Sequence, residues 1–312
     1  GDVDGNVGSW GFARGGMGSV AAALSSSFQS LGGEIRTNSE VNQIVVDGKT
    51  AKGVQLVSGE IIRANAVVSN LDAKRTFLKL IDEKKLPSEL SEKARNFKIR
   101  GSSGKVNIAL DGMPIFSALP KKSPLTLGHM HFSDTLERLE RAYDDWKDDR
   151  WSADPYVDMV IPTQYDPTMA PPGKHMMSVF VQYCPVSPEG GWDEKKKKEF
   201  GNTVINQIAD YSPNFKDLIL HAEIRTPHEI EKEVGLTEGN IFQGELTLDQ
   251  LMFNRPFPGY AQYRGPFKKM YMCSSSNHPG GGVMGAPGAN AAREILRDLK
   301  LQNTTPEDFG DD

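Results

Sequence analysis

The residues best suited to chemistry sit in residues 268–299, KKMYMCSSSNHPGGGVMGAPGANAAREILRDL. Met270 to Cys273 form a short buried-strand pattern, and residues 274–282 are too rich in small and turn residues to be anything but loop. A helix follows, with Ala289, Ala292, Ile295, Leu296 and Leu299 on one face. Such a loop lets backbone N–H groups approach a ligand closely, and the helix N-terminus adds positive dipole where anionic or polar ring oxygens would sit. This is the outline of a cofactor cradle; the plainer alternative is a strand-to-helix turn without a ligand. Gly280, Gly282 and Gly285 also match G-x-G-x-x-G. The dinucleotide fingerprint, however, needs a whole βαβ unit and an acidic residue about 20 positions on, whereas this helix runs into a polar tail, LQNTTPEDFGDD.

Other chemistries find less support. His129 and His131 fall on one strand face, but a zinc site needs three or four ligands and no third has a supporting spacing. His221 and His228 stand in polar segments. Ser274, Ser275 and Ser276 lack a G-x-S-x-G elbow, so no hydrolase signature is present. Cys184 and Cys273 each sit in an apolar strand pattern, far apart, and read as buried thiols; a redox pair would be C-x-x-C. With 38% hydrophobic and 25% charged residues the profile is that of a soluble globular protein, and no apolar run reaches the roughly 20 residues of a membrane helix. A net charge of −5 without a basic stripe argues against nucleic acid.

The elements that must position this loop begin with Gly15, Gly16 and Gly18, which lead into a helix with Val20, Leu24, Phe28 and Leu31 at three- or four-residue spacing, ended by Gly32-Gly33. A strand is expected over 34–41. The Asp47-Gly48 and Ser58-Gly59 steps then predict a three-stranded antiparallel meander over 41–64, inserted between strands of a parallel sheet. Ser69 and Asn70 end the next strand, where open α/β sheets bind ligands, although a plain strand-end turn accounts for them equally. Helices are expected over 74–80 and 88–97, a strand over 105–110, a helix capped by Ser133 or Asp134, strands over 157–162 and 176–183, and a lysine-rich helix over 193–211 whose Lys195 to Lys198 form a solvated face.

The string HPGGGVMGAPGANAA resembles the C-terminal flavin motif of phytoene-desaturase-like flavoproteins, within the wider class of FAD oxidoreductases related to amine oxidases. The resemblance extends to GSWGFARGGMGSV, residues 34–80, YDPTMAPPGKH and GNIFQGELTLDQLMFNRP. It implies an α/β (α+β mixed) fold: the C-terminal part of an FAD/NAD(P)-binding Rossmann-like domain with a β-meander, plus a mixed-sheet substrate domain. The expected division is 1–33 as the return from the substrate domain, 34–72 as FAD-domain strands and meander, 73–260 as the substrate domain, 261–301 as the closing FAD-domain strand, loop and helix, and 302–312 as tail.

By the same resemblance Val41 sets its backbone against the adenine of FAD, and Ser274 and Ser275 belong to the cofactor-binding stretch, Ser274 where relatives usually carry glycine and Ser275 and Ser276 where they often carry glycine or an acid. Gly281, Gly282, Val283, Met284 and Gly285 meet the flavin, the last three offering backbone donors to its pyrimidine edge, and His278 lies by the isoalloxazine ring. The implied partner is an N-terminal half carrying the G-x-G-x-x-G unit, without which this stretch is expected to be inactive. The implied activity is hydride removal from an apolar small-molecule substrate. Alternatives are an amine-oxidase-like flavoenzyme and a non-catalytic protein that keeps the fold to bind partners; a homo-oligomer is compatible with each.

Overall fold

The computed structural model describes residues 2–3, 5–7, 11–120, 128–132 and 135–300. In chain order, β1 (Asp2–Val3) and β2 (Asn6–Val7) pair antiparallel and α1 (Gly18–Ser30) follows. Next come β3 (Val41–Asp47), β4 (Thr50–Leu56), β5 (Ile61–Arg63), β6 (Val67–Ser69), a π-helical turn at Arg75–Lys79 and α2 (Ser88–Asn96). The middle of the chain holds β7 (Ser103–Leu110), β8 (Met130–His131), α3 (Leu136–Lys147), β9 (Tyr156–Val160), β10 (His175–Gln182), α4 (Glu194–Tyr211), the short α5 (Phe215–Leu218), β11 (Ile219–Arg225) and α6 (Pro227–Val234). Finally β12 (Met270–Met272) leads to α7 (Ala286–Asp298).

Contacts divide the chain into two units, Gly1–Arg36 with Ser102–Glu229, and Thr37–Gly101 with Ile230–Asp312. In the first, β11-β7-β10-β9-β8 form one five-stranded antiparallel sheet. Val106, Ile108 and Leu110 of β7 and Met177, Val179 and Val181 of β10 are buried on one face with Phe200, Val204 and Ile208 of α4. Each such side chain removed from water contributes about 1.5–3 kcal/mol. Strand alternation then puts Lys105, Asn107, Ser178, Phe180 and Glu223 on the opposite, half-buried face. Asp193 caps α4 by accepting from the Lys196 N–H at 2.7 Å. The lysine run is not uniformly solvated: Lys196 reaches the Gly191 carbonyl at 2.8 Å and Lys197 pairs with Glu229, which leaves Lys195 and Lys198 outermost. Helix α3 is capped by Thr135, whose Oγ1 accepts from the Arg138 N–H at 3.2 Å; Ser133 and Asp134, expected as caps, lie outside the described residues. Helix α1 forms where glycines enter it, yet none of its residues is buried, and Leu24 and Phe28 are exposed, as is Leu31 just after it.

In the second unit, β3-β4-β5 is the meander expected from the sequence. The pairing of Asp47 with Thr50 leaves Gly48-Lys49 as a two-residue turn, with Gly48 at φ 55°. Residues 34–40 do not form the expected strand: β3 begins at Val41. This stretch, EIRTNSE, is mostly exposed, and among the described residues no strand offers it a ladder. Beyond the meander, β6 and β12 pair in parallel. Phe77, Leu90, Ala94 and Phe97 pack in one core with Met270, Met272 and Phe257, so residues 73–101, expected on the substrate side, share their core with the closing strand.

Candidate cofactor-binding site

The parallel pair fixes the site. Met270, Tyr271 and Met272 are all buried and stand opposite Val67, Val68 and Ser69, so both strands end at the same level. The Cys273 N–H extends the ladder to the Ser69 carbonyl at 2.9 Å. The ends Ser69-Asn70 and Ser274-Ser275 are thereby brought together, and Gln243 bridges them. Its Nε2 donates to the Asn70 carbonyl at 3.2 Å, and its Oε1 accepts from the Ser275 N–H at 2.9 Å. The hydroxyls of Ser69, Ser274 and Ser276 are spent within the protein. Ser69 Oγ and Thr76 Oγ1 share a hydrogen bond of 2.7 Å, and the buried Ser274 hydroxyl accepts from the Ser276 N–H at 3.1 Å. Ser276 Oγ donates to the Gln243 carbonyl and accepts from the Ala73 N–H at 3.2 Å. The serines act here as staples that hold the loop's backbone.

From that anchor the chain runs through His278, which is exposed and whose carbonyl accepts from the Tyr263 hydroxyl at 2.8 Å. Asn290 of α7 donates to the same hydroxyl at 2.8 Å, tying the loop to the helix. Gly280, Gly282 and Gly285 have φ of 110°, 131° and 63°, conformations that only glycine adopts without strain. A Cβ on Gly281 would run into the Phe242 ring and lie 3.2 Å from the Phe242 Cα. Gly285 caps α7, with open space in front of it. The N–H groups of Val283, Met284 and Gly285 donate to no other described residue, and the Val283 and Met284 side chains are 75% and 58% exposed beside them. The other end of α7 is clamped. Arg264 donates to Asp298 at 2.8 Å and to Glu294 at 2.6 Å, and the Tyr271 hydroxyl donates to Asp298 at 3.0 Å. Arg264 holds the Asp298 carboxyl below its usual range, while burial and then Asp298 push the Tyr271 phenol up to about 12.

Val41 opens β3 and lines, with Ser69, Asn70, Val67 and Leu71, a cavity of about 550 Å³. The structure therefore groups the expected positions in two places: Val41, Ser69 and Asn70 about this cavity, and Gly281 to Gly285 along the loop into α7. The arrangement fits a flavin on two observations. Three backbone N–H groups without a partner among the described residues stand in sequence at the positive end of a helix, as an acceptor-bearing ring edge requires. The Asn277 side chain, fully buried next to His278, keeps its Nδ2 without a hydrogen-bond partner among the described residues, an unsatisfied donor inside the loop.

Two charged side chains were not singled out from sequence. Arg255 is fully buried, and its guanidinium donates only to backbone carbonyls, among them Ser275 at 2.7 Å and Phe242 at 2.8 Å. Burial brings its pKa down to about 10. Lys105, on the half-buried face of the five-stranded sheet, donates to Ser178 Oγ at 2.6 Å, and burial lowers its pKa against the opposing pull of Glu223. A lysine inside the apolar alternation of β7 and an arginine beside a proline were the only local signals. The cysteines are free, and burial raises both thiols. His129 Nδ1 is 2.9 Å from Asp158, and among the described residues no group of three or more His, Cys, Asp or Glu side chains could hold a metal ion. Among those residues no helix is long and apolar enough to cross a membrane.

A mixed α/β chain whose closing strand, glycine loop and helix fit a flavin has the form of part of a flavoprotein. The chain belongs to the flavin containing amine oxidoreductases, a family that matches it over residues 2–296. It is 38% identical over 310 residues to pyridine nucleotide-disulfide oxidoreductase domain-containing protein 2 of Rattus norvegicus, covering 96% of this chain and 53% of that protein. It is 25% identical over 294 residues to the lycopene-forming phytoene desaturase of Paracoccus sp., covering 92% of this chain and 55% of the desaturase. Cyclohexylamine oxidase from Brevibacterium oxydans has the same fold, with a TM-score of 0.54 at 13% identity over 91% of this chain and 53% of the oxidase. The chain thus spans about half the length of the curated relatives it matches.

Proposed function

We propose that this chain is the flavin-end and substrate-side part of an FAD-dependent oxidoreductase that removes hydride from an apolar substrate. The observation that carries the proposal is the row of backbone donors at Val283, Met284 and Gly285, at the start of α7 and after the positive-φ glycines Gly280 and Gly282. When bound, FAD accepts the hydride. Backbone N–H groups at residues 283–285 hold the ring's acceptor edge and favour negative charge developing there. Gly282 and Gly285 keep side chains away from it. His278, exposed at the loop's entry, would stand by the ring, and the cavity lined by Val41, Ser69 and Asn70 would take the adenine end. The apolar substrate class rests on the phytoene desaturase among the relatives and on the exposed Met252 and Phe253 in the second unit.

The test uses the full-length protein. Flavin should co-purify with it, as read from its visible absorbance, and Gly285→Val should release that flavin while the circular dichroism stays native. His278→Ala should retain flavin but shift its reduction potential. A full-length protein that folds and takes up no added FAD would overturn the reading.

A further inference from the structure

Arg255 stands out because its environment is unusual for a cation. None of its surface is exposed, and each of its nitrogens donates to main-chain oxygen. Nε reaches the Ser275 carbonyl at 2.9 Å, and Nη2 reaches Ser275 at 2.7 Å, Phe242 at 2.8 Å and Gly244 at 3.3 Å. Nη1 reaches Glu245 at 3.2 Å and Gln250 at 3.3 Å. No carboxylate among the described residues pairs with it: the Glu245 side chain is held instead by Arg100, at 3.0 Å. A buried cation without a counter-ion is costly, and an apolar side chain would fill the same space without that cost. What the guanidinium adds is geometry, since its planar fork fixes several acceptors at once.

The acceptors belong to two stretches. One is the turn 242–250, and the other is Ser275, within the loop that leads to His278 and the glycines. A Cβ on Gly280 would come within 3.4 Å of Arg255 Nε, so the guanidinium also lies directly against the glycine run. Gln243, on the same turn, takes the Ser275 N–H and the Ser276 hydroxyl. Ser275 is thus gripped by its N–H through Gln243 and by its carbonyl through Arg255, which orients both peptide planes around it.

We propose that Arg255 is a positioning residue for the cofactor: it sets the path of residues 274–282 by holding the Ser275 carbonyl on the 242–250 turn, and so places the loop on which the flavin is seated. The inference rests on the flavin reading above and adds to it a residue that touches the loop but not the ring. Its fork geometry, rather than its charge, is the property that matters, because the partners are neutral carbonyls arranged around a plane.

The test compares full-length wild-type protein with Arg255→Lys and Arg255→Met, each titrated with FAD. Wild-type protein comes first: if it binds no FAD, the flavin reading fails and the loop has no cofactor to position. If it binds, Arg255→Lys, which keeps the charge and loses the fork, should weaken FAD binding by about ten- to a hundredfold, by analogy with the loss of an outer partner at a metal site. It should also shift the reduction potential of the flavin that remains. Arg255→Met should behave likewise. A purely structural arginine would lower the melting temperature in both variants while affinity and potential stayed at wild-type values, and that result would overturn the proposal. Failure of both variants to fold would overturn it too, in favour of a scaffold role.

Discussion

The sharpest expectation concerns Gly281 and Gly285, two loop glycines that are irreplaceable for different physical reasons. At Gly281 the backbone angle is not the obstacle; the obstacle is space, because a Cβ would strike the Phe242 ring and sit 3.2 Å from its Cα. Overpacking of this kind costs about 1–3 kcal/mol. At Gly285 a Cβ meets nothing within 4 Å, but φ is 63°, and an L-residue held in the left-handed region costs about 1–2 kcal/mol. Gly281→Ala and Gly285→Ala should therefore destabilise by similar amounts, roughly 3–9 °C in melting temperature for a unit of this size. They part company in a double-mutant cycle with Phe242→Leu, measured by urea unfolding. The cost of Gly281→Ala should fall by more than about 0.5 kcal/mol in that background, whereas that of Gly285→Ala should add. Additivity at Gly281 would mean that the ring moves aside freely, and the steric argument for that glycine would be refuted.

Lys105→Met should raise the melting temperature at neutral pH, since it removes a buried charge whose pKa burial has lowered. That gain should shrink as pH rises through the lysine's depressed pKa, and a gain independent of pH would count against the account. Asp298 and Asp166 are both held below the usual carboxylate range, the first by Arg264 and the second by the Gly15 N–H at 2.6 Å. With folded pKa values below unfolded ones, their stabilisation is complete above the ordinary carboxylate range and is lost as pH falls through the depressed values. Asp298→Asn should accordingly flatten the acid limb of a stability–pH curve. Cys184, buried with its thiol pushed well up, should react with a thiol reagent only on unfolding; reaction in the native protein, followed by absorbance, would contradict its placement.

Much of this was legible in local sequence, and the remainder failed for identifiable reasons. The meander followed from Asp47-Gly48 and Ser58-Gly59 because turn chemistry is a property of adjacent residues. The run from Met270 to the end of α7 followed from a strand, breakers and a 3.6-residue period in succession. Residues 34–40 form no strand because a strand is a statement about a neighbour, and the chain's own apolar pattern does not supply one. The partners of the Ser276 hydroxyl, Ala73 and the Gln243 carbonyl, come from distant segments and so leave no local signal. Arg255 was invisible for the same reason: its acceptors are main-chain oxygens, which carry no signature in the sequence.

The passage of residues 102–229 of the first unit between the two segments of the second has a consequence for chain entropy. The loop contact between Ala73 and Ser276 joins positions 203 residues apart, a closure that costs a flexible chain about 5 kcal/mol. Between them, however, β7 and β11 lie side by side, with Lys105 opposite Arg225, so the chain leaves for its long excursion and returns at almost the same point. Once that antiparallel pair has formed, the excursion no longer counts toward the closure. The logarithmic dependence makes the saving small, under about 1 kcal/mol. The three-residue β6–β12 ladder is therefore nearly indifferent to how much polypeptide is hung between its strands, and a short linker in place of residues 103–225 would leave the cost of joining them almost unchanged.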